Sequence, residues 1–331
     1  MARLSILDLV RITREGSARQ SLDNARDLAG LAERLGFTRY WVAEHHNIDG
    51  IASSATALAI AHIAAGTHTI RVGAGGIMLP NHAPIVIAEQ FGTLETLFPG
   101  RIDLGLGRAP GGDALTMRAL RRSFDNADNF PRDVLELQAY FAPAGAGQRI
   151  RAIPAAGTNV PIWILGSSTY GAELAAHLGL PYAFASHFAP ELLLPALEIY
   201  RTRFQPSEVL ERPYAMIGVN IIAADSEAEA RRLRTTQQMS FVNLRRGTST
   251  ISLPPVDDID TYWTPDEAML AERLLARSVF GTRDQVRDGI AALVAETGAD
   301  ELMIVSDIYD HAARRHSLDL IAQAGGLTPP A

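Results

Sequence analysis

The sequence predicts an α/β protein built as a (β/α)₈ TIM barrel with insertions. Short apolar segments alternate with amphipathic helical segments eight times in a constant order. The strand segments are almost continuously apolar, which indicates a parallel sheet buried on both faces. Polar residues collect just after several strands, where parallel α/β proteins bind their ligands. The same alternation also allows a doubly wound open sheet, which is the competing architecture.

The length of 331 residues suits one large domain or two ordinary ones. A barrel needs about 250 residues and grows by insertion, so we expect a single domain over residues 1–331. Turn-rich or polar segments predict insertions at approximately 107–130, 142–160 and 245–264, the second with short irregular strands. With 47% hydrophobic residues the chain has ample material for a core.

Composition excludes several classes of function. The net charge of −7 and the lack of a basic run argue against a nucleic-acid partner. The absence of cysteine rules out disulfides and thiolate chemistry and fits a reducing compartment. The N-terminus lacks the apolar core of a signal peptide, and no apolar run approaches the ~18 residues of a membrane span. We therefore expect a soluble, cytoplasmic protein.

Eight strand candidates support the barrel. They are Leu4–Val10, Tyr40–Ala43, Ile70–Leu79, Ile102–Gly107, Pro161–Leu165, Tyr182–Ala185, Tyr214–Ala223 and Glu301–Val305. An apolar stripe predicts the first helix over Ala18–Leu35, with Gly36 as its stop. Ser53 or Ser54 is expected to cap the second helix. Since Gly107–Asn126 is turn-rich and then basic, we interpret it as a mobile loop over the site.

The stretch RYWVAEHHN, residues 39–47, carries the most concentrated chemistry. A short strand runs directly into Glu44, His45 and His46. Adjacent residues of a strand point to opposite faces, so only one histidine is expected to face the barrel mouth. A single histidine here would best be interpreted as a hydrogen-bonded structural residue. Two histidines beside a carboxylate at a strand end give the functional and the structural interpretations equal weight.

Glycines interrupt the third strand at GAGG, residues 73–76. Glycine weakens a strand and usually marks a bulge or a close approach of backbone or ligand. One interpretation is a bulge that lets the barrel close. The other is a flat ligand ring that lies on bare backbone.

The segment LGLGRAPG, residues 104–111, resembles a dinucleotide-binding loop but has Pro110 where the third glycine should stand. No nicotinamide fingerprint is therefore supported. Arg108, at a strand end among glycines, is a candidate phosphate or carboxylate clamp, with a simple salt bridge as the alternative.

The segment GSSTYG, residues 166–171, supplies hydroxyls and free N–H groups where a helix begins. A helix N-terminus is an anion site, and two serines exceed what helix capping needs, so phosphate binding is favoured. A metal site is not expected, because no His-x-His occurs and adjacent histidines chelate one ion poorly.

These motifs together resemble the bacterial luciferase-like flavin monooxygenases, in particular the alkanal-monooxygenase-like subgroup. The resemblance is ordered and covers about 300 residues. The matching stretches are RYWVAEHHN, IRVGAGGIMLPNHAP, AEQFGTLETLFPGRIDLGLGRAPG, PIWILGSSTYGAELAAHLGLPYAFASHF, FGTRDQVRDGI and DELMIV. It implies a luciferase-like TIM barrel, usually a homodimer, that binds reduced FMN at the carboxyl ends of its strands.

The resemblance also assigns roles to residues. His45 corresponds to the family's catalytic histidine, with Glu44 beside it, and Gly75 and Gly76 fall where the family has a non-proline cis peptide against the flavin ring. The phosphate positions correspond to Arg108, Ser167, Ser168, Tyr170 and Gly171, although the luciferase α subunit has glutamate in place of Ser167. Further cofactor-binding candidates at strand ends are Asp8, Ser186 and His187.

The implied reaction uses reduced FMN and O₂ to oxidise an aldehyde or another small organic substrate. Such chemistry requires that water be excluded, and the Gly107–Asn126 loop is the candidate lid. The missing nicotinamide fingerprint fits a two-component system with a separate flavin reductase. The alternatives are a deazaflavin-dependent hydride-transfer enzyme of the same fold and a flavin-binding protein without turnover.

Overall fold

A computed structural model describes residues 2–109 and 113–329. Its strands are β1 Arg3–Asp8, β2 Arg39–Val42, β3 Arg71–Met78, β4 Ile102–Gly107, β5 Ile162–Gly166, β6 Tyr182–Phe184, β7 Ala215–Ala223, β8 Val279–Gly281 and β9 Glu301–Val305. Strands β1 to β7 pair in parallel in chain order, and β9 lies between β7 and β1. The sheet therefore closes into an eight-stranded barrel, which confirms the predicted fold and excludes the open sheet.

All eight predicted strands are present, and the structure adds a ninth. Strand β8 pairs in parallel with the last three residues of β7, outside the ring. Three half-buried residues are too short a segment to show a strand pattern, so the sequence could not reveal β8.

Eleven helices surround the barrel in the described part of the chain. They are α1 Ala18–Leu35, α2 Thr56–Ala64, α3 Pro84–Leu97, α4 Ala114–Ala119, α5 Phe130–Phe141, α6 Thr169–Leu178, α7 Leu193–Arg203, α8 Glu227–Arg246, α9 Pro265–Leu274, α10 Arg283–Thr297 and α11 His311–Ala324. None of these helices is long and apolar enough to cross a membrane. Helix α1 has its predicted bounds and ends at Gly36, whose φ of 87° favours glycine.

Two local expectations were wrong. Ser53 does not cap α2; its Oγ donates to the carbonyl oxygen of Ala43 at 2.6 Å and ties the end of β2 to the loop that follows. Residues 142–160 form turns and irregular backbone without the expected strands. The predicted mobile loop also contains regular structure, namely α4 and a 3₁₀ helix over Phe124–Asn129.

Side-chain alternation along the strands divides the protein into an interior and an outer layer. The outer layer, between strands and helices, forms the large apolar core. Inside the barrel, a charged layer at the amino-terminal end contains Arg39, Asp103 and Glu301. Above it Trp41 packs edge-on against Trp163, with ring centroids 5.3 Å apart. These layers fill the lower barrel, so only its carboxyl end is open to a ligand.

Candidate active site

A cavity of about 510 Å³ lies at the carboxyl ends of the strands. This volume is within the range of small-molecule sites, about 300–1,000 Å³. Most of the predicted site residues line it, namely His45, Gly75, Gly76, Arg108, Ser167, Ser168, Tyr170, Gly171 and His187. The tertiary structure therefore brings together residues from the ends of β2, β3, β4, β5 and β6.

The floor of the cavity is bare backbone. The peptide bond between Gly75 and Gly76 is cis, as the resemblance implied, and the β3–β4 register shifts between Gly75 and Ile77. A Cβ on Gly75 would lie 2.9 Å from both Leu7 and Trp41, and one on Gly76 would lie 2.4 Å from Leu165. Because no side chain fits here, the bulge interpretation of the glycines is confirmed. The interpretation that a flat ring lies on this backbone stays a prediction.

One end of the cavity carries groups suited to an anion. The Arg108 guanidinium lies 4.0 Å from the centroid of the Tyr170 ring, which holds it beside the start of α6. Ser168 is the N-terminal cap residue of α6, yet its side chain makes no capping hydrogen bond. The Ser167 hydroxyl likewise has no partner among the described residues. Two serine hydroxyls, a guanidinium and a helix N-terminus are groups that suit a phosphate, so this end of the cavity is a candidate phosphate site.

His45 is the histidine of the pair that faces the cavity. Burial, followed by the nearby positive charge of Arg11, lowers the pKa of His45 to about 4. The imidazole is therefore uncharged at neutral pH and can accept or share a proton at one ring nitrogen.

Glu44 and His46 lie behind the cavity wall. The Glu44 carboxylate is buried and contacts Nε2 of His46 at 2.7 Å and Nε2 of His82 at 2.9 Å. It also accepts a hydrogen bond from the Met78 backbone N–H at 2.9 Å. Potential metal-ligand atoms of Glu44, His46 and His82 lie within 4.8 Å of one another, so the absence of a metal site stays a prediction. Glu44 therefore links the loop after β2 to the loop after β3, immediately beside His45.

Replacing Glu44 with glutamine should destabilise the protein. Burial raises the pKa of the Glu44 carboxyl, but hydrogen bonds from His46, His82 and Met78 outweigh burial and lower this pKa to about 2. A lowered carboxyl pKa gives stability that is fully present above the unfolded value near pH 4.5 and is lost as pH falls towards 2. We expect E44Q to lower the free energy of unfolding by roughly 1.5–3 kcal/mol at pH 7, with a smaller difference at pH 3. Urea unfolding at both pH values measures this, and an equal loss at both would contradict it.

His187 lines the cavity opposite a glycine that sequence reasoning missed. A Cβ on Gly218 of β7 would lie 2.3 Å from His187 Nδ1, so the glycine makes room for this ring. His187 Nδ1 is buried without a hydrogen-bond partner among the described residues. Burial, and secondarily His45, lowers the pKa of His187 to about 4. The glycine inside the apolar strand AMIGVNIIA was the signal that could have identified this position.

Three predicted site residues lie outside the cavity lining: Glu44, Asp8 and Ser186. Asp8 faces the outer layer, where it bonds the Tyr40 hydroxyl and lies 2.9 Å from Arg314 Nη2 of α11. The Ser186 hydroxyl donates to the Gly218 carbonyl. The structure gives these residues supporting contacts, and a direct role for any of them with a cofactor stays a prediction.

The family model "Luciferase-like monooxygenase" matches residues 2–301. A protein of Escherichia coli strain K12 named "Luciferase-like monooxygenase" is 53% identical over 317 residues, which cover 96% of this chain and 95% of that protein. The chain belongs to the luciferase-like monooxygenase family. This confirms the resemblance recognised in the sequence.

Solved structures support the same fold for this luciferase-like protein. The crystal structure of apo-MsnO8 matches with a TM-score of 0.92 at 35% identity and covers the whole of both chains. The oxygenating constituent of 3,6-diketocamphane monooxygenase from Pseudomonas putida, solved with FMN, matches with a TM-score of 0.72 at 19% identity and covers 100% of both chains. An F420-dependent secondary alcohol dehydrogenase matches with a TM-score of 0.67 at 13% identity and covers 98% of both. Because the last two structures are only 19% and 13% identical to this chain, their similarity shows a shared fold and nothing about function.

Proposed function

We propose that this chain is an FMN-dependent monooxygenase that uses reduced FMN and O₂ to oxidise an aldehyde or another small organic substrate. One observation carries the proposal: a single cavity joins a bare-backbone floor, an anion-binding end and an uncharged imidazole. These parts suit the flat ring, the phosphate and the reacting edge of a flavin mononucleotide, respectively. Membership of the family supports the same reaction class.

The residues present fit FMN. Arg108, Ser167 and Ser168 would hold its phosphate, and the Gly75–Gly76 backbone would carry its ring system. When bound and reduced, the flavin supplies the electrons that activate O₂. The serine hydroxyls provide polar atoms that such a ligand would satisfy.

The chain's own residues provide orientation, proton control and exclusion of water. His45 presents an uncharged ring nitrogen to the cavity and would accept or return a proton at the substrate. Leu7, Leu165 and Phe130 give the cavity apolar walls. Ala127, Asp128 and Phe130, which follow the predicted lid Gly107–Asn126, also line the cavity and would help to shield it from water.

Oxygen incorporation tests the proposed reaction directly. The protein, loaded with photoreduced FMN under anaerobic conditions, is mixed with ¹⁸O₂ and a series of aldehydes, and products are analysed by mass spectrometry. We expect ¹⁸O in an oxidised product, and reoxidation of the bound flavin at a rate that depends on substrate. Reoxidation at the rate of free flavin with no labelled product would contradict the proposal.

Replacing Arg108 with alanine should weaken FMN binding and spare riboflavin binding. A charge-assisted contact to a phosphate contributes about 1.5–3 kcal/mol, which corresponds to a roughly 10- to 100-fold increase in the FMN Kd. Riboflavin has no phosphate, so its Kd should be unchanged. Arg118 on α4 is exposed and does not line the cavity, which makes R118A a matched control. Fluorescence titration measures both ligands; equal weakening of both would show that Arg108 does not contact the phosphate.

Two alternative functions follow from the same cavity. A deazaflavin-dependent hydride-transfer enzyme remains a candidate, because an F420-dependent enzyme shares the fold. Such an enzyme would bind the deazaflavin in preference to FMN and would turn over without O₂. A flavin-binding protein without turnover would instead bind oxidised FMN tightly and show no reaction that depends on substrate.

The proposed reaction also implies partners. No nicotinamide fingerprint occurs in the chain, so a separate flavin reductase would supply reduced FMN.

We further propose a homodimer in the cytoplasm. Leu58 on α2 and Val86 and Leu97 on α3 are large, exposed apolar side chains that a partner subunit could cover. Sedimentation velocity distinguishes the proposed dimer from a monomer of 35.7 kDa.

A further inference from the structure

His187 is the polar residue in the part of the cavity wall that follows β6. Of the described residues after β6 that line the cavity, which are Ala185, His187 and Phe188, only His187 has a polar side chain. Its ring packs edge-on against Phe188, with the ring centroids 4.7 Å apart. Small-molecule sites commonly use a single polar group among apolar walls to fix the orientation of a ligand.

The backbone of His187 is held by a buried hydrogen-bond network. The side-chain amide of Asn220 on β7 donates to the His187 carbonyl oxygen at 2.6 Å. The side-chain amide of Gln237 on α8 donates in turn to Asn220 Oδ1 at 2.6 Å, and both Asn220 and Gln237 are buried. The network therefore fixes His187 against β7 before any ligand binds, which lowers the entropic cost of binding.

The two ring nitrogens of His187 have different surroundings. Nδ1 is buried against Gly218 without a hydrogen-bond partner, whereas Nε2, which also makes no hydrogen bond to any described residue, is not buried and is accessible from the cavity. A neutral imidazole carries one proton. A proton on Nδ1 would bury an N–H group without an acceptor, which is rare in proteins. The proton therefore belongs on Nε2, and His187 presents an N–H donor to the cavity.

This donor lies across the barrel from the bare-backbone floor. In the closed order of strands, β7 is directly opposite β3, with three strands between them on each side. Gly75 and Gly76 are on β3, and the His187 ring packs on Gly218 of β7. If a flavin ring lies on the floor as proposed, one of its faces covers the backbone and the other faces the β7 side. The substrate would then lie over that second face, between the flavin and His187.

We propose that His187 binds the substrate by donating its Nε2–H to a carbonyl oxygen, so that this enzyme acts on aldehydes or ketones. A carbonyl oxygen is the acceptor that this N–H lacks, whereas a hydrocarbon of the same shape would leave the donor unpaired. Asn220 and Gln237 are positioning residues for His187. The assignment rests on the proposed function, because it takes the glycine floor as the flavin site. It also differs from the cofactor-binding role that the resemblance implied for His187.

Calorimetric titration of the protein loaded with oxidised FMN tests this contact without turnover. The probes are methyl hexyl ketone and the alkene in which a methylene group replaces its oxygen, so only the ketone has a carbonyl acceptor. We expect H187M to raise the Kd of the ketone by roughly 5- to 100-fold and not to raise the Kd of the alkene. H187Q, which keeps an N–H group near the position of Nε2, should retain most of the ketone affinity. His177 on α6 is exposed and does not line the cavity, so H177M is the matched control and should bind both probes as the wild type does.

Infrared spectroscopy gives a second measurement that does not require a variant. The ketone is labelled with ¹³C at its carbonyl carbon, so that its C=O band is distinguished from the bands of protein and flavin. A hydrogen bond weakens the C=O bond, so we expect the bound ketone to absorb at lower wavenumber than the same ketone in hexane. The band should move back in H187M. If H187M does not fold, the comparison between the wild type and hexane decides.

Three results would overturn the contact: an unchanged Kd of the ketone in H187M, an unshifted band in the wild type, or a loss of FMN affinity in H187M without an effect on the ketone. The third would show that His187 binds the cofactor. The ¹⁸O₂ experiment is independent of these measurements. A confirmed ketone contact without labelled product would refute the monooxygenase and retain the contact, whereas labelled product without a ketone contact would refute the contact alone.

Discussion

Replacing His45 with alanine is expected to lower kcat by roughly 100- to 10,000-fold, the usual contribution of general acid–base catalysis, while FMN affinity stays nearly unchanged. The imidazole lines the cavity, but the phosphate-type site lies at the ends of β4 and β5. Because burial, followed by Arg11, lowers the pKa of His45 to about 4, the ring is uncharged throughout the neutral range. Its contribution to kcat should therefore be independent of pH between about 6 and 8 and should be lost only as pH falls towards 4.

Single-turnover kinetics with reduced FMN and saturating substrate measure this effect, and fluorescence titration measures FMN affinity. His68 is exposed and distant from the cavity lining, so H68A is a suitable control and should behave as the wild type. A large loss of FMN affinity in H45A, with little change in kcat, would show that His45 is a cofactor-binding residue instead.

Replacing Arg39 with methionine should produce the largest loss of stability. The buried Arg39 guanidinium contacts Glu301 through Nε at 2.9 Å and Asp103 through Nη1 at 2.8 Å. It also lies 4.7 Å from the Trp163 ring centroid. Methionine has a similar length but leaves the buried Glu301 carboxylate without its cation, whereas Asp103 keeps its ion pair with Arg71 at 2.6 Å. Removing one partner from a buried ion pair costs about 3–5 kcal/mol, so we expect a decrease of this size in the free energy of unfolding.

Urea unfolding followed by circular dichroism measures this loss. The matched control is R203M, because Arg203 contacts Glu173 at 3.0 Å with both side chains largely exposed. An exposed pair contributes less than about 1 kcal/mol. If both variants lost the same stability, the charged layer inside the barrel would have no special structural role. FMN affinity of folded R39M should be near normal, since Arg39 does not line the cavity.

Much of the fold was predictable because its signals are local. Each barrel strand is a short apolar segment, and eight such segments separated by helices have few closed arrangements. Gly73–Gly76 interrupted the third strand visibly, and the bare-backbone floor lies there. The hydroxyls of GSSTYG lie at a helix N-terminus, as its sequence indicated. These features depend on residues close together in the chain.

The orientation of individual polar side chains depended on tertiary structure. Strand β2 ends at Val42, so the alternation of faces does not extend reliably to Glu44, His45 and His46. Met78 at the end of β3 and His82 in the segment that follows hold Glu44 behind the wall, and His45 is left in the cavity. Asp8 similarly faces Arg314, a residue more than 300 positions away.

The sequence by itself therefore determined the barrel, the glycines of the cavity floor, the serines at the start of α6 and the position of the histidine pair at a strand end, because periodicity and turn chemistry are properties of short segments. Only the tertiary structure decided which of the adjacent polar residues faces the ligand and which distant charges meet. The Arg11–Asp307 pair shows the reason: its members are nearly a chain length apart and approach only because β1 and β9 are neighbours in the closed sheet.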